Sequence, residues 1–145
     1  MKIDDIDKHI LRCLVGNSRL SIRELSKQVN LSAPSVAERV RRLEEEGVIE
    51  GYSSKLNYSA LGYSIQAIIQ VTTRNGKCED FRSLIRLHPN AQWCYRMAGP
   101  ADYIVMLSVQ KLEEIEQIID EISVLAQTTT HIVLSEVGIE TSILG

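Results

Sequence analysis

Residues 21–46, SIRELSKQVNLSAPSVAERVRRLEEE, decide the reading of the N-terminal half: two short helical patterns meet across a three-residue turn, and the second carries three arginines. Ser21 and Glu24 form an S-x-x-E capping box, in which the serine oxygen takes one orphan backbone N–H and the glutamate takes another, so a helix starts at Ser21. Ile22, Leu25 and Val29 follow at i, i+3 and i+7 as one apolar stripe, and the pattern stops at Asn30-Leu31. Ser32 is the next N-cap. Pro34 sits in the first turn, where its missing N–H is harmless because those donors have no helical partner. Gly47 is placed to end the helix near Glu46.

On this second helix Val36, Val40 and Leu43 point inward, Pro34, Ser35, Glu38, Arg41 and Arg42 fall on the opposite side, and Arg39 lies between the faces. That is the layout of a DNA-reading helix-turn-helix, whose second helix lies in the major groove with its N-terminal residues on base edges and its flanks on phosphates. The expected contact set is Ser32, Pro34, Ser35, Glu38, Arg39, Arg41 and Arg42. Ser35 and Glu38 suit base edges; the three arginines suit phosphates, and each is long enough to reach a guanine. A competing reading makes Glu38 and Arg42 an ordinary i, i+4 surface pair worth about 0.2–0.5 kcal/mol.

The formal charge of −3 argues against a nucleic-acid partner until its distribution is read. Residues 1–60 carry 10 Lys/Arg and 9 Asp/Glu, net +1, whereas residues 61–145 carry 6 and 10, net −4. Between Ser18 and Leu43, six basic residues (Arg19, Arg23, Lys27, Arg39, Arg41, Arg42) face two acidic ones (Glu24, Glu38), a local excess of +4 that suits a phosphate-facing surface. With 44% hydrophobic and 24% charged residues the 145-residue chain is globular, one or two small domains. No apolar run approaches a membrane span and the start MKIDDIDKHI is too acidic for a signal peptide, so a soluble, cytoplasmic, nucleoid-associated protein is expected. Cys13, Cys78 and Cys94 lack C-x-x-C spacing and read as buried free thiols. No metal ligand set, phosphate-binding glycine loop or catalytic triad is present, which excludes an enzyme and leaves no cofactor expected.

In chain order, Asp4 or Asp5 caps a first helix with Ile6, Ile10 and Leu14 inward, closed by Gly16-Asn17. After Gly47, Val48-Ile49 and residues 52–56 read as a small wing or exit strand. Residues 1–57 form the helix-turn-helix domain, 58–62 a linker, and 63–145 a second domain. In that domain a period-2 strand carries Tyr63, Ile65, Ala67, Ile69 and Val71; a helix over 77–88 buries Phe81, Leu84 and Ile85; strands follow over 91–98 and 103–109. A second helix carries Leu112, Ile115, Ile118, Ile119 and Ile122, and a long strand over 128–139 closes the domain. The order βαββαβ is a ferredoxin-like arrangement, α+β, with both helices on one sheet face. Two helices cover only one face, yet residues 103–107 are apolar at every position and Ile68 lies on the more polar face of the first strand. The uncovered face therefore needs a partner, and closed two-fold pairing predicts a homodimer. Trp93, Tyr95 and Met97 share one face of a strand, as interface or core.

LSAPSVAERVRRLEEEGVIEGYSSKLN, with its L-E-x-x-G-V-I ending, and the later AGPADYIVMLSV resemble the Lrp/AsnC (feast/famine) transcriptional regulators over essentially the whole chain. The resemblance implies a winged helix-turn-helix, homodimers assembling into tetramers or octamers on double-stranded DNA, and an amino-acid effector held between dimers beside the loop joining the second and third strands. Carried over, that loop is Gly99-Pro100-Ala101-Asp102-Tyr103, with Asp102 answering an ammonium, the Gly99 backbone answering a carboxylate, and Thr128, Thr129 and Thr130 completing the pocket. On the residues alone G-P-A-D is also a tight strand connection, and Pro100 removes one backbone donor. The alternative function is an architectural protein that wraps or bridges DNA without an effector.

Overall fold

The computed structural model describes residues 1–145 and contains five α-helices and four strands. It divides into two compact units, Met1–Lys55 with Ile139–Gly145, and Leu56–Gly138.

The first unit is built from helix ends written in the sequence. Helix α1 spans Asp5–Gly16 behind Asp4, α2 spans Ile22–Val29 behind Ser21, and α3 spans Ala33–Glu45 behind Ser32. Each cap oxygen accepts from a backbone N–H three residues on. In the α2 box, Ser21 Oγ accepts from Glu24 N at 3.1 Å and Glu24 Oε2 accepts from Ser21 N at 2.7 Å. Asn30 takes the left-handed conformation, φ 55°, that ends α2; asparagine tolerates it because its short polar side chain bonds locally. Ile10, Leu14, Leu25, Val36, Val40 and Leu43 close the three-helix core.

No strand forms between α3 and residue 64, so the wing expected at Val48-Ile49 and 52–56 is absent as a ladder. A strand needs a neighbour for its backbone groups, and no second segment supplies one. Instead Gly47, φ 72°, turns the chain, Val48 N and Ile49 N donate to Leu43 O at 2.9 and 3.0 Å, and Ile49 packs on the helical core.

In the second unit, β1 (Ile65–Thr73), β2 (Ala91–Arg96), β3 (Tyr103–Val109) and β4 (Ala126–Ile132) form one antiparallel sheet in the order β2-β3-β1-β4. Helices α4 (Cys78–Arg86) and α5 (Leu112–Ser123) cover one face, where Phe81, Ile85, Ile115, Ile118 and Ile122 meet Ala67, Ile69, Val71, Val105 and Leu107. This is the expected ferredoxin-like arrangement. β4 begins two residues before the expected Thr128 and ends seven before Ile139, because β1 is its only neighbour. Val133 N donates to Gln66 O at 2.9 Å and β1 then runs out. Strand β2 stops at Arg96 rather than 98, since Met97 N already donates to Asp102 O at 2.7 Å to close the hairpin. Cys13 and Cys94 are partly buried free thiols, but Cys78 is exposed, contrary to expectation. It lies in the first turn of α4, whose inward positions belong to Phe81 and Ile85.

Candidate nucleic-acid interface and ligand pocket

Helix α3 turns Val36, Val40 and Leu43 into the core, so its other face is presented outward by the same 3.6-residue period. Pro34, Glu38 and Arg41 are exposed and Ser35 and Arg42 half-buried. The Ser32 hydroxyl accepts from Ser35 N at 3.3 Å and so serves the cap. Arg41 holds Glu38 through Nε and Nη2 at 3.0 and 2.5 Å, and its Nη1 holds Glu45. Glu38 therefore pairs at i+3 with Arg41, not at i+4 with Arg42, because Arg42 is turned toward α1. Hydrogen bonding from Arg41 lowers the Glu38 carboxyl and raises the Arg41 guanidinium. Such open surface pairs are worth little and exchange readily for a phosphate.

Arg39 and Arg42 point the other way, onto Asp7, whose side chain is completely buried. Arg39 Nη1 donates to Asp7 Oδ1 and to Asp4 Oδ2, both at 2.8 Å, and Arg42 Nη2 donates to Asp7 Oδ1 and Oδ2 at 3.2 and 3.1 Å. Asp7 Oδ2 also accepts from Asp4 N at 3.1 Å, and Asp4 Oδ1 from Asp7 N at 2.8 Å. The Asp7 backbone N–H, followed by Arg39, draws the Asp4 carboxyl down from 3.8 to about 2. Asp7 is a residue that the sequence patterns did not single out. Its signal was the Asp4-x-x-Asp7 spacing, which repeats the geometry of a capping box with a second carboxylate in the N3 position.

The hairpin joining β2 to β3 and the start of β4 come together around a cavity of about 550 Å³. Its wall contains Gly99, Pro100 and Ala101 from the loop and Thr128 and Thr129 from β4, joined by Gln70 and Thr72 from β1. Gly99 takes φ 138°, a conformation that disfavours any side chain. Asp102, Tyr103 and Thr130 are not in that wall. Asp102 Oδ2 accepts from Thr73 N and Thr73 Oγ1 at 2.9 and 3.0 Å, which fastens the hairpin to β1. Tyr103 is buried, its ring 4.9 Å from that of Phe81 and its hydroxyl 3.1 Å from Arg82 Nη1. Thr130 lies opposite Ile69 on the helix-covered face. Gln70 and Thr129, paired across the β1–β4 ladder, lie on the opposite face, the signal for which is strand parity.

That face is not covered by either helix. Register places Ile68, Ile104, Met106, Trp93 and Tyr95 together on it. A bulge between Ala91 and Trp93 turns Trp93 onto this side, where its ring lies 5.3 Å from that of Tyr95. Trp93 and Tyr95 are 36% and 62% exposed, a large apolar outlay for a surface. No group of three or more potential metal ligands comes together anywhere, and no helix is long and apolar enough to cross a membrane.

Comparison with known proteins agrees with both units. A winged helix-turn-helix DNA-binding family model matches residues 3–50, and an Lrp/AsnC ligand-binding domain model matches residues 66–143. The regulator LrpC of Bacillus subtilis is 42% identical over 137 residues, which is 94% of this chain and 95% of the relative. Its solved structure superposes with a TM-score of 0.94 at 41% identity over 97% of this chain and 100% of that one. A Neisseria meningitidis transcriptional regulator, solved as a complex with L-methionine, matches with a TM-score of 0.90 at 27% identity over 98% of this chain and 96% of that one. A feast or famine regulatory protein of Mycobacterium tuberculosis, also complexed with L-methionine, gives 0.90 at 27% over 99% and 100%. The relatives are named as transcriptional regulators, a non-enzymatic role. With a DNA-binding helix-turn-helix in one unit and the ligand-binding βαββαβ fold in the other, the chain belongs to the Lrp/AsnC family of transcriptional regulators.

Proposed function

We propose that this regulator binds DNA through the outward face of α3 and adjusts its assembly on DNA to an amino acid held in the cavity beside the β2–β3 hairpin. The observation that carries the reading is the position of that cavity: Gln70 and Thr129 in its wall belong to the uncovered sheet face. A ligand there touches the surface through which copies would pair, so binding and assembly share groups. Ile68, Trp93, Tyr95, Ile104 and Met106 form the centre of a face-to-face homodimer, which assembles further into tetramers or octamers. The two-fold presents two copies of α3 to successive major grooves. Ser35 and Glu38 address base edges, Arg41 and Arg42 phosphates, with Ser32 and Pro34 at the entering end; Arg39 stands behind them on Asp4 and Asp7. Gly99, Pro100, Ala101, Thr128 and Thr129 hold the effector, and Asp102 shapes the loop through Thr73. A cavity of about 550 Å³ is of the size that takes a small ligand. The protein works in the cytoplasm, on nucleoid DNA.

Sedimentation velocity with promoter DNA, repeated with each of the twenty amino acids, tests this. One amino acid shifts the assembly of the native protein, and Thr129→Val abolishes the shift. A protein that compacts DNA into large complexes and answers to none of them is architectural instead.

A further inference from the structure

We propose that Asp4 and Asp7 are positioning residues for DNA recognition: they seat the reading helix on α1 and withhold Arg39 from DNA phosphates, so that affinity for random sequence is kept low. This rests on the placement of α3 against DNA. Arg39 Nη1 is shared between two carboxylates at 2.8 Å each, one wholly buried and one at the surface. The Arg39 side chain is itself only 24% exposed, against 54% for Arg41. Arg42 is intermediate at 43%, bonded to Asp7 through Nη2, while its buried Nε has no partner. The four side chains carry two positive and two negative charges, so this part of α3 is locally neutral although it contributes two arginines. A buried carboxylate that accepts from two residues of α3, at positions 39 and 42, also fixes that helix in rotation about its own axis: turning α3 would strip Asp7 of its partners and leave a charge in the core.

Counterion release separates a phosphate ligand from a positioning group. Each phosphate newly contacted steepens the dependence of log affinity on log salt by about 0.9. The measurement is fluorescence anisotropy with a promoter duplex and a random duplex of equal length, over a salt series, on the full chain. Asp4→Asn keeps an N-cap of equal quality and removes one of the two carboxylates holding Arg39. It raises affinity for the random duplex several-fold, steepens its salt slope by about 0.9, and narrows the promoter preference. Adding Arg39→Gln to Asp4→Asn returns the slope to the native value. Arg39→Gln alone retains a donor for Asp7; it lowers promoter preference and leaves the slope on random DNA unchanged.

A flattened slope with Arg39→Gln alone, or an unchanged slope with Asp4→Asn, overturns the proposal. Should Asp4→Asn fail to fold, Arg39→Gln alone decides between the two. Arg41→Ala separates this from the placement of α3. If Arg41→Ala leaves the slope unaltered, the placement fails; if it flattens the slope while Asp4→Asn does nothing, only the positioning role of Asp4 and Asp7 fails.

Discussion

The two units of this regulator hold their elements by different means. In the first, all three helices begin on a side-chain cap, Asp4, Ser21 and Ser32. In the second, α4 begins at Lys77 with no side-chain cap, and α5 relies on Glu114 reaching back to the N–H groups of Gln110 and Lys111 at 2.7 and 3.2 Å. The sheet unit is tied instead by ladders between residues dozens of positions apart, such as Ile69 with Val105 and Thr130. Short-range chemistry therefore sets the boundaries of the DNA-reading unit, and long-range pairing sets those of the sheet unit.

The strongest way to break this contrast is to open each core. Leu43→Ala in the first unit and Ile69→Ala in the second, both fully buried, each cost about 2–5 kcal/mol. Calorimetry is expected to show each lowering the transition of its own unit and leaving the other in place; a shared shift would mean that the units melt as one. Next comes Asp7→Ala, which leaves guanidinium donors and the Asp4 N–H without their acceptor. The expected loss is about 1–3 kcal/mol in urea unfolding, held below that of a fully buried ion pair by the partial exposure of Arg39 and Arg42. Smaller still is Ser21→Ala, about 1 kcal/mol, whereas Lys77→Ala, at a helix start with no side-chain cap, stays within about 0.5 kcal/mol.

The last difference is in pH. Asp4 is held at about 2 in the folded unit against an ordinary 3.8, chiefly by the Asp7 N–H and then by Arg39. Its folded value is depressed, so its contribution is complete above pH 4 and is lost as pH falls through 2. Glu24 is lowered in the same sense by the Ser21 cap. Circular dichroism of the native chain should therefore show acid loss of the first unit across this window, and Asp4→Asn should remove part of that pH dependence.

Legibility followed the same division. Caps, stripes and the turn of the helix pair could be read to within a residue because each signal lies within four positions of the group it satisfies. The ferredoxin-like order was legible from alternating periods, but the ends of β4 and β2 were not. Strand length depends on a neighbour: Gln66 stops β4, and the Met97 bond to Asp102 stops β2. No ladder forms after α3 for the same reason, since Val48-Ile49 carries strand-forming residues and finds no partner strand. Among the residues proposed for function, the alternation of α3 placed Glu38 and Arg41 outward as expected. Arg39 and Arg42 both donate to Asp7, a partner more than thirty residues away in the sequence, which no local pattern reveals. In the hairpin, Gly99, Pro100, Ala101, Thr128 and Thr129 meet around one cavity, while Asp102 and Tyr103 turn away to Thr73 and the Phe81 ring.

By itself the sequence determined the helix-turn-helix, the βαββαβ order and the surplus of positive charge around α3, since periodicity, caps and local charge are properties of neighbours in the chain. Only the tertiary structure decided which arginines are spoken for, which carboxylate is buried and which threonines share a cavity with the hairpin. Those outcomes depend on how α1 meets α3 and on strand register, where a shift of one residue exchanges every side chain between the covered face and the open one.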